Sequence, residues 1–378
     1  LQDITLISSL PPIKGITPYT IGLVGELEKH SHVTLIGFDN LYPDSLYKRS
    51  TGTSSKDTNS KLPKLNNTTI YQILNWYNPF SWISAGLKAR GDTLHLQHWI
   101  WITVPIYITI ILIAKYIKGM QVVITVHNVV AHEKSGFKPL LDKILYGFCD
   151  KFIVHSEDNK KQLINIIGND KSITVIPHGM ITPNCEKVEK KTAREKYDIG
   201  EDRKVLLFFG NIRDYKGLDI LLESFSELVR QDSSYFLIIA GTCWENWEKY
   251  QSIIDINDLS SHILRINRFI PENEQGYIFG TADLMILPYR YFDAQSGVLA
   301  LNFYFSLPVI ISDQGGLMEV IDDKDLIFES GNIKELTEKV LFLFKKDILI
   351  NKKIYVKERG KGFSWKTLTK NFLLFYYQ

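Results

Sequence analysis

Short apolar, β-branched runs recur along this chain and alternate with longer stretches in which apolar residues return every three or four positions. The runs ITLIS (4–8), VTLIGF (33–38), TLHLQ (93–97), VVITVH (122–127), FIVHS (152–156) and ITVIPH (173–178) read as the strands of a first domain. After the charged stretch KVEKKTAREKYDIGEDRK (187–204) the rhythm restarts with VLLFFG, YFLIIAG, ILRIN, DLMILP, PVIIS and LIFE. Strands that are apolar on both faces and separated by helices predict parallel sheets covered on both sides. The pattern therefore predicts an α/β chain of two doubly wound, Rossmann-like domains. We assign residues 1–182 to the first, 183–203 to a linker and 204–361 to the second. The final segment, 362–378, has helical spacing around Trp365, Leu368, Phe372 and Leu373. A helix with such a face must bury it, and it is expected to cross back to the first domain.

Three segments interrupt this rhythm. WITVPIYITIILIA (101–114) is almost continuously apolar, but it is shorter than the roughly 18 to 20 residues that cross a bilayer and contains Pro105. It reads as a buried or membrane-facing helix. The Ser-, Thr- and Lys-rich piece at 47–69 reads as a mobile surface loop. WYNPFSWISAGLKAR (76–90) joins aromatic to basic residues, a composition suited to a membrane interface or a lipid-linked acceptor.

Length and charge sharpen the picture. A chain of 378 residues exceeds one ordinary core and fits two domains. Its 44 Lys and Arg against 42 Asp and Glu leave a net charge of +2, too little for recruitment of nucleic acid by counterion release. Cys149, Cys185 and Cys243 are distant and odd in number, which argues against a disulfide framework and for a reducing compartment. The first residues, LQDITLISSL, lack a basic leader region and are expected to feed directly into structure. A cytoplasmic location, with peripheral association at the inner membrane face, is the expectation that follows.

Open α/β sheets take ligands at the carboxyl ends of their strands, so the loops after each strand hold the candidate chemistry. Gly15 lies just before a helix of apolar period, where free amides attract a phosphate. The dinucleotide fingerprint G-x-G-x-x-G is missing there, which counts against a dehydrogenase. His127 follows a buried strand and is suited to hydrogen bonding at neutral pH; His95, His98, His155 and His178 also end strands and read mostly as structural. Gly210 ends the next domain's first strand, followed by Asn211, Arg213, Lys216 and Gly217 at the start of an amphipathic helix. Cations at a helix N-terminus oppose its dipole, so a diphosphate is the natural reason for them. Arg supplies a planar fork for phosphate oxygens and Lys a mobile point charge. Later, DAQSGV (293–298) offers small polar groups and a glycine before a helix, with the buried strand LPVIIS beneath.

Taken in order, PPIKGITPYT, HLQHW, TVHNVVAHE, VHSE, VIPHG, FFGNIRDYKGLDILLESF, FLIIAG, RFIPENEQGYIFGTADLMILPYR and QSGVLALNFYFSLPVIISDQGGLMEVI resemble the family 4 glycosyltransferases of GT-B fold. That resemblance covers nearly the whole chain. It implies two facing Rossmann-like domains, with a nucleotide diphosphate sugar, UDP- or GDP-linked, held mainly by the second and a saccharide or lipid-linked acceptor by the first. It implies retention of anomeric configuration, no metal and no other cofactor, and a place in cell-surface polysaccharide or glycolipid synthesis. Arg213 and Lys216 match the pair that grips the diphosphate, Gly15 the loop meeting the distal phosphate or sugar, and His127 the histidine near the reacting sugar. Phe269 and Ile270 fall where the base packs. Gln295, Ser296, Gly297 and Val298 would face donor sugar and phosphate.

The chain departs from the family at two places. Where many members have Glu, seven residues and Glu, this one has Asp293 and Leu301. Leucine accepts no ribose hydrogen bond, so Asn302 or Glu319 becomes the candidate ribose contact, within a subgroup carrying QSGV. Asn211 stands where many members have Arg. Two other readings share the architecture: a sugar-nucleotide epimerase, and a degenerate binding protein without activity. A phosphorylase would need a cofactor lysine and a much longer chain.

Overall fold

In the computed structural model, residues 3–11, 13, 16–41, 64–129, 138–292, 295–345 and 347–378 are described. The loop expected over 47–69 lies outside them except for its last six residues. The chain divides into two compact units, Leu1–Gly179 with Phe363–Gln378, and Met180–Gly362.

The first unit runs β1 (Ile4–Ser8), α1 (Thr17–Leu27), β2 (Val33–Asn40), β3 (Thr68–Asn75), α2 (Pro79–Lys88), β4 (Thr93–His98), α3 (Val104–Tyr116), β5 (Gln121–Val126), α4 (Lys138–Phe148), β6 (Lys151–Val154), α5 (Glu157–Ile167) and β7 (Ser172–Val175). Its described sheet is parallel throughout, in the order β3-β2-β1-β4-β5-β6-β7. Alternation along the strands sends Ile7, Leu94, Leu96, Val122, Ile124 and Val126 into one apolar cluster with α3, and Ile4, Leu6, Val123 and Ile153 into another with α1. Both faces are thus covered. β3 was not expected. It is an edge strand, half-buried along most of its length, and the polar Thr68, Gln72 and Asn75 hide its period.

The C-terminal helix, Trp365–Tyr377, completes the second cluster through Trp365, Leu368, Phe372, Phe375 and Tyr376. Ser364 caps it by accepting from Thr367 N. The Trp365 indole fills a slot made by two glycines: a Cβ on Gly22 would stand 2.0 Å from the indole nitrogen, and one on Gly179 would stand 2.4 Å from the ring. Only glycine leaves room for the ring at either place.

α3 buries Val104, Ile106, Tyr107, Ile110, Ile111 and Ala114 against the sheet, as a helix of the apolar stretch should. No helix among the described residues is long and apolar enough to cross a membrane. α2 begins at the Asn78 cap, whose side chain accepts from Phe80 N. Its outer face leaves Phe80 82% and Leu87 60% exposed, and Ile117 after α3 is 73% exposed.

The second unit runs α6 (Lys190–Lys196), β8 (Lys204–Phe209), α7 (Leu218–Gln231), β9 (Tyr235–Ala240), α8 (Glu248–Ile256), β10 (Ile263–Ile266), α9 (Glu272–Thr281), β11 (Leu284–Leu287), α10 (Gly297–Phe305), β12 (Val309–Ser312), α11 (Gly315–Met318), β13 (Ile327–Phe328), α12 (Ile333–Leu343) and α13 (Ile348–Gly362). Its strands are parallel in the order β10-β9-β8-β11-β12-β13. Residues 183–203 are not a free linker but part of this unit. Arg194 of α6 is buried, donating to the carbonyls of Thr281, Gly200 and Glu201 and pairing with Asp283 at 2.9 Å. The charged sequence concealed that contact, because a buried Arg with a full set of acceptors looks like a solvated one when only composition is read.

Candidate active site

In the second sheet, chain order reverses between β8 and β11, and the crevice beyond the carboxyl ends of two such strands is where doubly wound sheets take ligands. After β8 the backbone turns at Gly210 with φ +102, and after a single turn at 214–216 it passes Gly217 with φ +66 into α7. These glycines are obligatory. A Cβ on Gly217 would lie 2.0 Å from Pro288 O, beyond β11, and one on Gly241 would lie 1.9 Å from Gly210 O. The loop 210–217 is therefore pressed against the ends of β9 and β11.

Lys216 is buried in this crevice, only 7% exposed. Its Nζ lies 5.1 Å from the Tyr289 ring centroid. It lies 3.3 Å from the place a Gly210 Cβ would take, and Val298 Cγ2 lies 2.9 Å from the same place. Lys216 and Val298 thus meet over Gly210. Among the described residues no carboxylate pairs with this ammonium, and desolvation lowers its pKa. Arg213 is exposed, its guanidinium 5.1 Å from the Trp244 ring, with no ion pair among the described residues. Asn211 beside it is exposed. A buried cation without an anion is an unfavourable arrangement in an empty protein and a favourable one once an anion arrives.

The loop is braced by residues that sequence reasoning passed over. Arg290 forks onto both carboxylate oxygens of Asp219, at 2.8 Å for one pair, and donates to Asp214 O at 3.1 Å. Arg290 N donates to Tyr215 O at 2.7 Å, and the Tyr215 ring stacks on Phe292. Burial alone would raise the Asp219 carboxyl, but the Arg290 fork holds it below the usual range. The aromatic run PYRYF after β11 and an acid in the first turn of α7 were the available signals.

α10 starts at Ser296, whose Oγ accepts from Leu299 N at 3.3 Å and sits 3.3 Å from Tyr289 OH. Burial pushes the Tyr289 hydroxyl up to about 12, so it stays protonated. Gln295 and Ser296 are both buried. At Gly297 a Cβ would touch only Ile181, at 3.7 Å, an ordinary contact. Neither strain nor packing within the unit calls for glycine there. Gly210, Lys216, Ser296 and Val298 are thus brought together around one strand-end crevice.

Asn302, a candidate ribose contact, is fully buried, and its Nδ2 donates to Leu307 O at 2.8 Å, holding the chain where Ser306 adopts φ 56. Its Oδ1 is buried and has no hydrogen-bond partner among the described residues. Leu301 beside it is buried. Glu319 follows α11 and is exposed, its carbonyl accepting from Arg359 at 3.2 Å. After β10, Phe269 is 40% exposed and Ile270 is buried. Gly15 and Asp293 lie outside the described residues.

In the first unit, His127 follows β5 and is buried with both ring nitrogens engaged. Nε2 lies 2.6 Å from the Gln97 amide and Nδ1 lies 3.0 Å from His155 Nε2. Desolvation, then the neighbouring His155, His178, His95 and His98, hold it well below its usual pKa. The Tyr19 ring packs edge-on against His127, His155 and His178. The histidines that read as structural from sequence thus surround the one read as functional.

Residues 189–361 match the family described as Glycosyl transferases group 1. The chain is 22% identical over 189 residues to a D-inositol 3-phosphate glycosyltransferase of Nocardia farcinica, covering 48% of this chain and 42% of that protein. It is 23% identical over 158 residues to a lipopolysaccharide 1,2-N-acetylglucosaminetransferase of Salmonella typhimurium, covering 40% and 41%. The chain spans about two fifths of the length of these curated relatives. Among solved structures, sucrose-phosphate synthase from Thermosynechococcus elongatus superposes with TM-score 0.73 at 15% identity, over 100% of this chain and 99% of that one. Anabaena HepE in complex with UDP and glucose gives 0.72 at 14%, over 99% of each. The two parallel-sheet, Rossmann-like units therefore have the GT-B fold, and residues 189–361 are similar to the group 1 glycosyl transferases.

Proposed function

We propose that this chain is a retaining, metal-independent hexosyltransferase that moves a sugar from a UDP- or GDP-sugar to a saccharide or lipid-linked acceptor. The observation that carries the reading is the buried Lys216 at the switch point of the second sheet, which no carboxylate among the described residues pairs, with Arg213 in the same loop. Cleavage of the bond between the anomeric carbon and the diphosphate leaves negative charge on phosphate and positive character on carbon. Lys216 and Arg213 stabilise the departing oxygens as preorganised charge, strengthened by the low polarity around Lys216. The acceptor oxygen bonds to the anomeric carbon on the face the diphosphate leaves, and its proton passes to a leaving phosphate oxygen. That route accounts for retention without a protein nucleophile. The start of α10 at Ser296 and Gly297 suits donor sugar or phosphate, and Phe269 with Ile270 suits the base.

Incubation with UDP- and GDP-sugars, followed by assay of released nucleoside diphosphate, tests the proposal. Release is expected with one of these donors, undiminished by EDTA, with the anomeric configuration retained in the product. It should disappear in the Arg213→Ala, Lys216→Ala double variant. Full activity in that variant, or no release from any donor, overturns the reading.

The exposed Phe80, Leu87 and Ile117 support an acceptor met at a membrane surface, since apolar side chains of this size insert at the headgroup boundary. Co-sedimentation with vesicles containing anionic lipid is expected, weakened several-fold by Phe80→Ser with Leu87→Ser. Absence of the protein from the vesicle pellet would sink this part.

A further inference from the structure

The buried polar groups of the first unit form one connected line. Tyr376 OH lies 2.6 Å from His95 Nδ1, and His95 Nε2 lies 2.7 Å from Thr125 Oγ1 and 3.2 Å from Gln97 Nε2. Gln97 Oε1 lies 2.6 Å from His127 Nε2, His127 Nδ1 reaches His155 Nε2 at 3.0 Å, and His155 Nδ1 ends the line 2.9 Å from Ile176 O. Every member is at least nine-tenths buried.

A carbonyl only accepts, so the Ile176 end fixes the direction of the whole line. His155 must carry its proton on Nδ1, which leaves a lone pair on Nε2 for a neutral ring. His127 must then donate from Nδ1 and keep its lone pair on Nε2. The Gln97 amide, placed with its oxygen toward His127 and its nitrogen toward His95, must then be turned over end for end, a rotation that its near-identical oxygen and nitrogen allow, so that NH2 faces His127 and oxygen faces His95. His95 donates from Nε2, and its Nδ1 accepts the Tyr376 hydroxyl proton. The opposite direction would put two lone pairs against each other at Ile176 unless a fully buried imidazole became a cation, which desolvation opposes.

We infer that His155 and Gln97 are positioning residues that lock His127 as the neutral Nδ1–H tautomer, with Tyr376 of the C-terminal helix anchoring the far end of the line. The inference deepens the transferase reading, in which His127 stands near the reacting sugar. Among the described residues the groups facing His127 are His155, His178, His95, His98 and Tyr19, with no carboxylate among them.

Ring-nitrogen NMR of the full chain labelled with 15N-histidine, assigned by single His→Asn substitutions, reads the tautomers directly. At pH 7 His127 and His155 are expected as Nδ1–H and His95 as Nε2–H, all neutral. The isosteric Gln97→Glu variant supplies an acceptor where His127 needs a donor. His127 should then take a second proton and titrate above 6.5, while the rest of the line keeps its direction. An Nε2–H His127 in the native chain, or a His127 that stays neutral at pH 6 in the variant, would overturn the inference. A chain that shows the expected tautomers but releases no diphosphate would defeat the transferase reading alone.

Discussion

Acidification from about pH 7 to 5 is expected to remove most of the stability of the first unit. Burial lowers His95 and His155 to about 3 and His178 to about 4, against an ordinary value of 6.5. Each is neutral in the fold, so below 6.5 the unfolded chain binds the proton that the folded one refuses. The fold therefore keeps its full stability above about 6.5 and loses it as pH falls toward the folded values. The slope is about 1.4 kcal/mol per pH unit for each group, or about 2 kcal/mol each between pH 6.5 and 5. Three such groups together approach the total of ~5–15 kcal/mol that holds a domain folded. Carboxylates with ordinary or lowered values begin to contribute only below this window, so histidine is the signature of a loss that starts near pH 6. Urea unfolding at pH 7, 6 and 5 measures it. A midpoint that stays constant over that range would mean that the cluster is hydrated or charged in the fold.

Twelve strands were legible because most are short, nearly continuous apolar runs, which is what a sheet buried on both faces requires. β3 escaped because an edge strand keeps one side polar, and the stretch 183–203 because Arg194 finds its partners only in three dimensions. The candidate site was legible at Gly210, Lys216, Gly217 and Ser296, where backbone conformation, a helix start or an anion demands a particular residue type. At Asn302 the sequence did not reveal that the side-chain nitrogen is held by Leu307 O, a partner that spacing along one helix does not show. The histidine line was invisible for the same reason: His95, His127 and His155 lie on separate segments, and only the parallel register of β4, β5 and β6 aligns them.

Lys216→Met is expected to lower kcat/KM for the nucleotide sugar by about 10²–10³ while leaving the protein more stable, a combination that a structural lysine would not give. In the fold the Lys216 ammonium has lost water without gaining a carboxylate among the described residues, and desolvation lowers its pKa from 10.5. The unfolded chain holds this proton more tightly, so at neutral pH the charged lysine costs stability, a cost that fades as pH rises from the lowered folded value to the ordinary one. Methionine keeps the apolar stem against Tyr289 and removes the charge, so the urea midpoint should rise. Binding of UDP or GDP should act oppositely on the native protein: the diphosphate returns the missing partner, and mass action raises the thermal midpoint. That ligand-induced rise should be lost in the variant although its unliganded midpoint is higher. A Lys216→Met protein that is destabilised, or that still gains full thermal stability from the nucleotide, would show that the lysine serves the fold and that the anion binds elsewhere.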